Sequence, residues 1–281
     1  MLRIVSGVFC LVLALLIVTL PSSAGSRDAE AFLPTIYVTS WGETLALDGS
    51  GLYNEVAADV LANVPGAVNY NIMPFRRAQV RFFASGNSCL YPASLPAMVK
   101  AGQIKDPENY LESAGVFNAR THLFVRAGET PPSSLADLSG KSVAYPNGSV
   151  VRGLLEGSGA RLINVNDEMD KAEMLQGGRV DMITGGFPGV ALVFAKLGGK
   201  TPVYDPSFSL YNVAVTFICH KTYENEKFLK VLNGAIEALA QTPEHLERMA
   251  AVNMLQNVIA RASGDDAYAK TNLKAPLRPA K

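Results

Sequence analysis

Asn147, Gly148 and Ser149 have the residue types and the spacing of a small binding cradle for an anion or a dipole. The residues before them, 142–145, favour a strand, and the asparagine and glycine are typical of a turn. Ser149 stands where a helix N-cap is expected, ahead of apolar residues at helical spacing in 151–155. Because unpaired backbone N–H groups point out of a helix N-terminus, such a turn can hold a negative group.

Four further residues are candidates for ligand contact because each one stands at the carboxyl end of a predicted strand, where open parallel sheets bind their ligands. Trp41, the only tryptophan, has a flat face that can stack on an apolar or cationic group, unless it is a core aromatic. Ser94 offers a hydroxyl donor or a loop cap. Gly185 lets a ligand approach the backbone or simply makes a turn, and Asp205 can hold an ammonium group or cap a turn.

Arg77 is the candidate cation of the site. It lies near the start of a predicted helix, and its planar guanidinium suits bidentate binding of a carboxylate. A solvated helix face is the alternative for Arg76, Arg77 and Arg81, and we prefer it for Arg76 and Arg81.

The chain lacks the residue patterns of common catalytic and metal sites. It contains no His-Glu-x-x-His, Cys-x-x-Cys or Gly-x-Ser-x-Gly motif. His122, His220 and His245 are scattered along the sequence without metal-ligand spacing. We therefore expect a binding protein rather than an enzyme, with no catalytic residue, no metal and no cofactor.

Hydrophobic periodicity predicts the elements that position these residues. Strands are expected at 35–40, 68–72 and 88–91, with helices at 51–62 and 74–86 between them. This βαβαβ order implies a parallel sheet with right-handed crossovers.

The second half of the chain repeats the alternation of strands and helices. Segments 121–126 and 211–220 are long and extended, and they are expected to cross between two parts of the protein. Segment 226–239 has the spacing of an amphipathic helix, and 244–260 is expected to be helical too.

Composition excludes some classes of partner. The 281 residues include 25 basic and 25 acidic side chains, without a basic stripe or an acidic tail. This balance argues against binding of nucleic acid or of a membrane surface. Cys89 and Cys219 stand on predicted strands that could be neighbours, so a disulfide is possible in a periplasm. We prefer two buried thiols, because a chain of this size does not need a disulfide.

The N-terminal segment predicts export. Arg3 precedes an apolar run at 8–20, and the small residues of 21–24 suit cleavage near Ala24. Cys10 is misplaced for lipidation because the apolar run continues behind it. A soluble exported protein without a lipid anchor implies a periplasm.

Two motifs resemble a known family. Residues 135–141 read Leu-Ala-Asp-Leu-Ser-Gly-Lys, and residues 177–181 read Gly-Gly-Arg-Val-Asp. They are similar to motifs that open lobe two and one of its later strands in type II periplasmic solute-binding proteins, in particular the polar-amino-acid-type (family 3) substrate-binding proteins of ABC transporters. The resemblance implies an α/β protein of two lobes, with a mostly parallel sheet in each lobe and two hinge crossings.

The same resemblance implies where the parts of the chain begin and end. After a signal peptide at 1–24, lobe one would occupy 25–125 and 209–262, and lobe two would occupy 126–208. Residues 263–281 would form a flexible tail.

The function implied is binding of a small polar organic solute, amino-acid-like or carboxylate-bearing, by a monomer that delivers it to an inner-membrane ABC permease or another periplasmic protein. Arg77 aligns with an arginine of the family. Residues 93–96 lack the carboxylate-binding arginine that amino-acid binders have after the third strand, which puts an α-amino-acid ligand in doubt. Two alternatives remain: a dehydratase on the same fold, for which Glu43 and Asp48 are available carboxylates, and an accessory protein without a transport role.

Overall fold

The computed structural model describes residues 34–200 and 202–262. The predicted signal peptide, its cleavage near Ala24 and the predicted tail at 263–281 lie outside the described residues. Within those residues, no helix combines the length and the apolar character of a membrane span.

The strands of the described chain are β1 (Thr35–Ser40), β2 (Asn69–Pro74), β3 (Ser88–Ala93), β4 (Tyr110–Glu112), β5 (Phe117–Val125), β6 (Ser142–Pro146), β7 (Arg161–Val165), β8 (Met182–Gly185), β9 (Val203–Tyr204) and β10 (Tyr211–His220). The α-helices are α1 (Leu52–Leu61), α2 (Phe75–Ala84), α3 (Leu95–Lys100), α4 (Val151–Leu154), α5 (Glu168–Gln176), α6 (Gly189–Leu197), α7 (Tyr223–Leu239) and α8 (Pro243–Ala262).

The predicted βαβαβ unit is confirmed. β1 lies between β2 and β3 and pairs parallel with both. Ile36 and Val38 are buried and alternate with the partly exposed Thr35 and Tyr37, because successive side chains of a strand point to opposite faces. Thr39 and Ser40, at the end of the strand, are both buried. Pro74 precedes α2 as its N-cap residue, where a proline costs the helix no hydrogen bond.

Two long strands join the two parts of the sheet, as the sequence predicts. The strand order is β2-β1-β3-β10-β5-β8-β6-β7, and β10 runs antiparallel to both β3 and β5. β5 begins at Phe117 rather than at 121, because 117–120 pairs with β10. We call β2-β1-β3 with α1 to α3, α7 and α8 lobe one, and β8-β6-β7 with α4 to α6 lobe two.

Each lobe has its own hydrophobic core. In lobe one, Ile36 and Phe217 from the sheet pack with Leu232 from α7. In lobe two, Ile183 and Phe194 belong to a separate cluster. Separate cores and the mostly parallel sheets confirm the predicted two-lobed α/β fold, while the residue boundaries given above for the lobes stay a prediction.

The two cysteines form a disulfide, so the expectation of two buried thiols is wrong. Cys89 on β3 and Cys219 on β10 are paired in register, with their Cα atoms 4.0 Å apart. Both side chains are fully buried in the core of lobe one. The sequence allowed the two strands to be neighbours, but the register that brings residues 130 positions apart together is set by tertiary packing.

Candidate functional site

A cavity of about 140 Å³ lies between the two lobes, at the carboxyl ends of the parallel strands. Lobe one lines it with residues that follow β1 and β3, and lobe two lines it with residues that follow β6 and β8. The crossing strands also line it, with residues that include Ala119, Arg120, Thr121 and Tyr211. The position agrees with the rule for open α/β sheets that led to the predicted site.

An aromatic cluster forms the lobe-one wall of this cavity. The ring of Trp41 meets the edge of Tyr53 at a centroid distance of 4.9 Å and lies 5.8 Å from Phe75. Trp41 Nε1 donates a hydrogen bond of 2.9 Å to Thr44 Oγ1, which holds the indole in place. Trp41 is partly exposed rather than buried in the core, so part of its surface is available to a ligand.

Three buried oxygens on the wall of the cavity have no hydrogen-bond partner among the described residues. They are Thr39 Oγ1 at the end of β1, Ser149 Oγ after β6, and Glu168 Oε2 at the start of α5. Most buried polar atoms in proteins are paired, and an unpaired one costs about 1–3 kcal/mol. Three such atoms around one cavity indicate that a ligand or water supplies the missing partners.

Ser149 is therefore part of the cavity wall, but it does not cap a helix as predicted. α4 begins at Val151 with Val150 as its N-cap residue. The backbone N–H of Ser149 instead donates to Pro146 O at 3.1 Å, which closes a turn. The helix starts later than the sequence suggests, so the hydroxyl of Ser149 does not accept a hydrogen bond from the first turn of α4.

Gly148 brings the two lobes into contact. Its φ of +94° favours glycine, and a Cβ atom there would lie 3.0 Å from the Cα atom of Arg76 in lobe one. Gln103 Nε2 of lobe one also donates to Gly148 O at 3.0 Å. The cradle predicted at 147–149 is thus, in part, a contact surface between the lobes.

Glu168 and Lys171 of α5 also line the cavity, and the sequence analysis missed them. Both are buried, and Lys171 Nζ donates to Thr184 O at 2.8 Å. Burial raises the pKa of Glu168 to about 7, against the opposing effect of Lys171, and burial lowers the pKa of Lys171. The strand-end rule would have found this pair, since α5 begins three residues after β7 ends at Val165.

Lobe two holds the loop that carries Trp41. The backbone N–H of Glu168 donates a hydrogen bond of 2.7 Å to Trp41 O. Glu43, two residues further along the loop, forms an ion pair with Lys196 of α6. Glu43 is not among the residues that line the cavity, whereas Glu168 is. These contacts describe a closed arrangement of the lobes.

The structure brings four of the predicted site residues together. Trp41, Ser94, Ser149 and Gly185 all line the cavity. Whether they contact a ligand stays a prediction. Their common location follows from the strand-end rule, because the carboxyl ends of the parallel strands meet at the cleft.

The other four predicted site residues are not among those that line the cavity. Arg77 is exposed on α2. Asp205 Oδ1 accepts hydrogen bonds from the backbone N–H and the hydroxyl of Ser207, which is the turn-capping alternative. Asn147 and Gly148 lie beside the cavity in the turn after β6. A role for these residues in ligand binding stays a prediction.

The titratable side chains of the described residues form no cluster that could hold a metal ion. His122 Nδ1 lies 2.8 Å from Phe208 O, and His220 Nε2 lies 2.8 Å from Phe82 O. Both rings hydrogen-bond to backbone carbonyl oxygens, which is a structural role.

Several solved structures share the fold of this chain at low sequence identity. An ArgBP variant from T. maritima is 15% identical and aligns with a TM-score of 0.61 over 78% of this chain and 95% of its own. The substrate-binding protein of an amino acid ABC transporter is 16% identical, with a TM-score of 0.60 over 78% and 98% of the two chains. A histidine kinase sensor domain with similarity to periplasmic binding proteins is 13% identical, with a TM-score of 0.63 over 78% and 95%. No protein-family model and no curated protein matches the sequence.

Proposed function

We propose that this chain, which has the type II periplasmic-binding-protein fold, binds a small polar organic solute in the cleft between its lobes. The observation that carries the proposal is the set of unpartnered oxygens of Thr39, Ser149 and Glu168 around one aromatic-walled cavity. Thr39 belongs to lobe one, and the other two belong to lobe two. A solute that hydrogen-bonds to all three therefore joins the lobes.

The size and the wall of the cavity restrict the solute. An apolar cavity of about 150 Å³ holds a molecule such as benzene, and this cavity has about 140 Å³. The aromatic wall at Trp41 and Tyr53 suits a flat or apolar body, while the hydroxyls suit a polar head group. An amino-acid-like or carboxylate-bearing molecule of modest size has both features.

We further propose that the lobes close on the solute by bending of the two crossing strands, with hinges near Arg126 and Ser209. In hinge bending, a few residues at the ends of strands or helices absorb the change in backbone dihedral angles. Arg126 Nη1 donates to Val180 O at 2.7 Å, so its side chain is anchored in lobe two. The hinge would then lie between this anchor and lobe one.

We also propose that the protein is exported to a periplasm. There it would act as a monomer and deliver the solute to an inner-membrane ABC permease. The motifs at 135–141 and 177–181 and the fold of the amino acid transporter's substrate-binding protein support it. The sensor domain with the same fold supports the alternative of an accessory protein that docks to another periplasmic protein. A pull-down from periplasmic extract separates these two partners.

One observation favours a dehydratase as the second candidate. Glu168 is a buried carboxyl at the cavity whose pKa is raised to about 7 by burial, as a general acid or base requires. Its i+3 neighbour Lys171 is also buried. Glu43 and Asp48, the carboxylates considered from the sequence, are not among the cavity residues.

Native mass spectrometry of gently purified protein tests the proposed function. We expect a small molecule to co-purify and to be retained less well by Ser149→Ala. Incubation with prephenate-like or arogenate-like acids should give no product with the unmutated protein. Product formation that is lost in Glu168→Gln, and kept in Glu43→Gln, would favour the dehydratase instead.

A further inference from the structure

The carboxyl group of Glu168 is enclosed between two glycines, one from each lobe. A Cβ atom at Gly42 of lobe one would lie 3.1 Å from Glu168 Cβ and 3.3 Å from its Oε2. A Cβ atom at Gly189 of lobe two would lie 2.4 Å from Glu168 Oε1. The absence of side chains at both positions lets the carboxyl fit between the lobes. Separation of the lobes would remove Gly42 and expose the carboxyl to water.

The same residue fixes the loop that carries Trp41. The backbone N–H of Glu168 donates to Trp41 O at 2.7 Å, and Glu168 is the first residue of α5. The side chain of Asp167 caps this helix by accepting from the N–H of Asp170 at 2.9 Å, which holds Glu168 in position. One residue of lobe two thus contacts both the backbone of Trp41 and the glycine after it.

We infer that Glu168 is a positioning residue for Trp41, and that its carboxyl takes up a proton when the lobes close, so that acidification favours the closed form. This inference rests on the proposed solute-binding function, because it assumes that the lobes open and close. It names Glu168 as the residue that links closure of the lobes to pH, and it states that closure is favoured as the pH falls.

The groups around Glu168 together favour its protonated form in the closed arrangement. Burial is the largest cause of the raised pKa of about 7; Lys171 opposes it, the carboxylates of Glu43 and Asp167 act in the same direction as burial, and a hydrogen bond from the backbone of Glu43 opposes it. Lys171 faces it from the same helix and is held by Thr184 O. Glu43 faces it from lobe one and is itself paired with Lys196 of α6.

The pH range follows from proton linkage. In open lobes the carboxyl is hydrated, and its pKa returns toward the ordinary value of 4.5. Between about pH 4.5 and 7 the closed form therefore binds more protons than the open form, so the closed form gains stability as the pH falls through this range. A change from about pH 7.5 to about pH 5.5 should increase the closed-to-open ratio roughly twentyfold.

The fluorescence of Trp41 provides the test, since it is the only tryptophan of the chain and contacts Glu168 directly. We would titrate the full chain from about pH 4 to about pH 8.5, without added solute, and follow Trp41 emission together with the radius of gyration from X-ray scattering. We expect both to change with one midpoint between about pH 4.5 and 7, with the compact form at the acid side. Glu168→Gln should abolish this titration, while Glu43→Gln should keep it with a lower midpoint, because the carboxylate of Glu43 raises the pKa of Glu168.

A second variant keeps the test decisive if Glu168→Gln does not fold. Gly42→Ala places a methyl group against Glu168 and should hold the lobes apart, so the midpoint should move toward 4.5. A flat profile in the unmutated chain, or a titration that persists in Glu168→Gln, would overturn the inference. Because no solute is used, either result leaves the solute-binding proposal to its own mass-spectrometric test.

Discussion

Glu43 of lobe one and Lys196 of lobe two form an ion pair across the cleft, with 2.5 Å between Oε2 and Nζ. The side chains are 28% and 59% exposed, so water and salt screen the attraction. The pair lies two residues from Trp41 and adds to the hydrogen bond from Glu168. The loop after β1 is therefore held to lobe two at two points, one buried and one exposed.

Loss of the exposed ion pair between Glu43 and Lys196 should have a small effect on solute binding, and this effect should depend on salt. We expect Lys196→Ala to weaken binding of the co-purified solute by about 0.2–1 kcal/mol, the usual range for an exposed ion pair. The difference from the unmutated protein should shrink in high salt. Titration calorimetry at low and high ionic strength measures it, with Lys200→Ala, an exposed lysine that follows α6, as a control. A larger loss that salt does not change would contradict the screened pair.

Closure can be blocked without any change to the cavity. A Cβ atom at Gly153 of α4 would lie 2.2 Å from the carbonyl oxygen of Ala101, which follows α3 in the other lobe. We expect Gly153→Ala to act as a wedge that weakens solute binding about tenfold or more and increases the radius of gyration with solute present, since overpacking typically costs about 1–3 kcal/mol.

Gly234→Ala is the matched control for this wedge, because nothing lies within 4 Å of a Cβ atom there. It should leave closure unchanged. Equal solute affinity in Gly153→Ala and the unmutated protein would show that the lobes need not meet at α3 and α4.

Ser149 and Arg77 give the sharpest comparison between sequence and structure. The sequence predicts that Arg77 binds a carboxylate, whereas the structure places Arg77 exposed and Ser149 Oγ on the cavity wall without a partner. We expect Ser149→Ala to weaken solute binding by about 0.5–1.5 kcal/mol, the value of one hydrogen bond. It should leave the unliganded protein equally or slightly more stable. Arg77→Ala should weaken solute binding less than Ser149→Ala does. A larger loss for Arg77→Ala would show that Arg77 takes part in binding.

The disulfide between Cys89 and Cys219 should contribute strongly to stability. It joins β3 to the returning strand β10 across 130 residues. Removal of a native disulfide typically costs about 2–5 kcal/mol. We expect the double variant Cys89→Ala and Cys219→Ala to unfold at a lower guanidinium concentration than the oxidised protein. Reductant should lower the stability of the unmutated protein only, and an effect of reductant on the variant would point to another cause.

The sequence by itself determined most of the elements and their kind, although it did not predict α3, α6 or β4. Strand 35–40 and the long strand 211–220 were predicted with the bounds observed, because alternating β-branched and apolar residues are a local signal. The βαβαβ order then fixed a parallel sheet, and the strand-end rule placed Trp41 and Ser149 at the cleft.

The tertiary structure alone decided which side chains meet. The pairing of Cys89 with Cys219 depends on the register between β3 and β10, which packing of the whole lobe sets. The inward position of Glu168 and the outward position of Arg77 depend on how α5 and α2 are rotated on their sheets. Periodicity along a chain identifies the buried face of a helix, but contact across a cleft depends on the packing of two lobes that are distant in sequence.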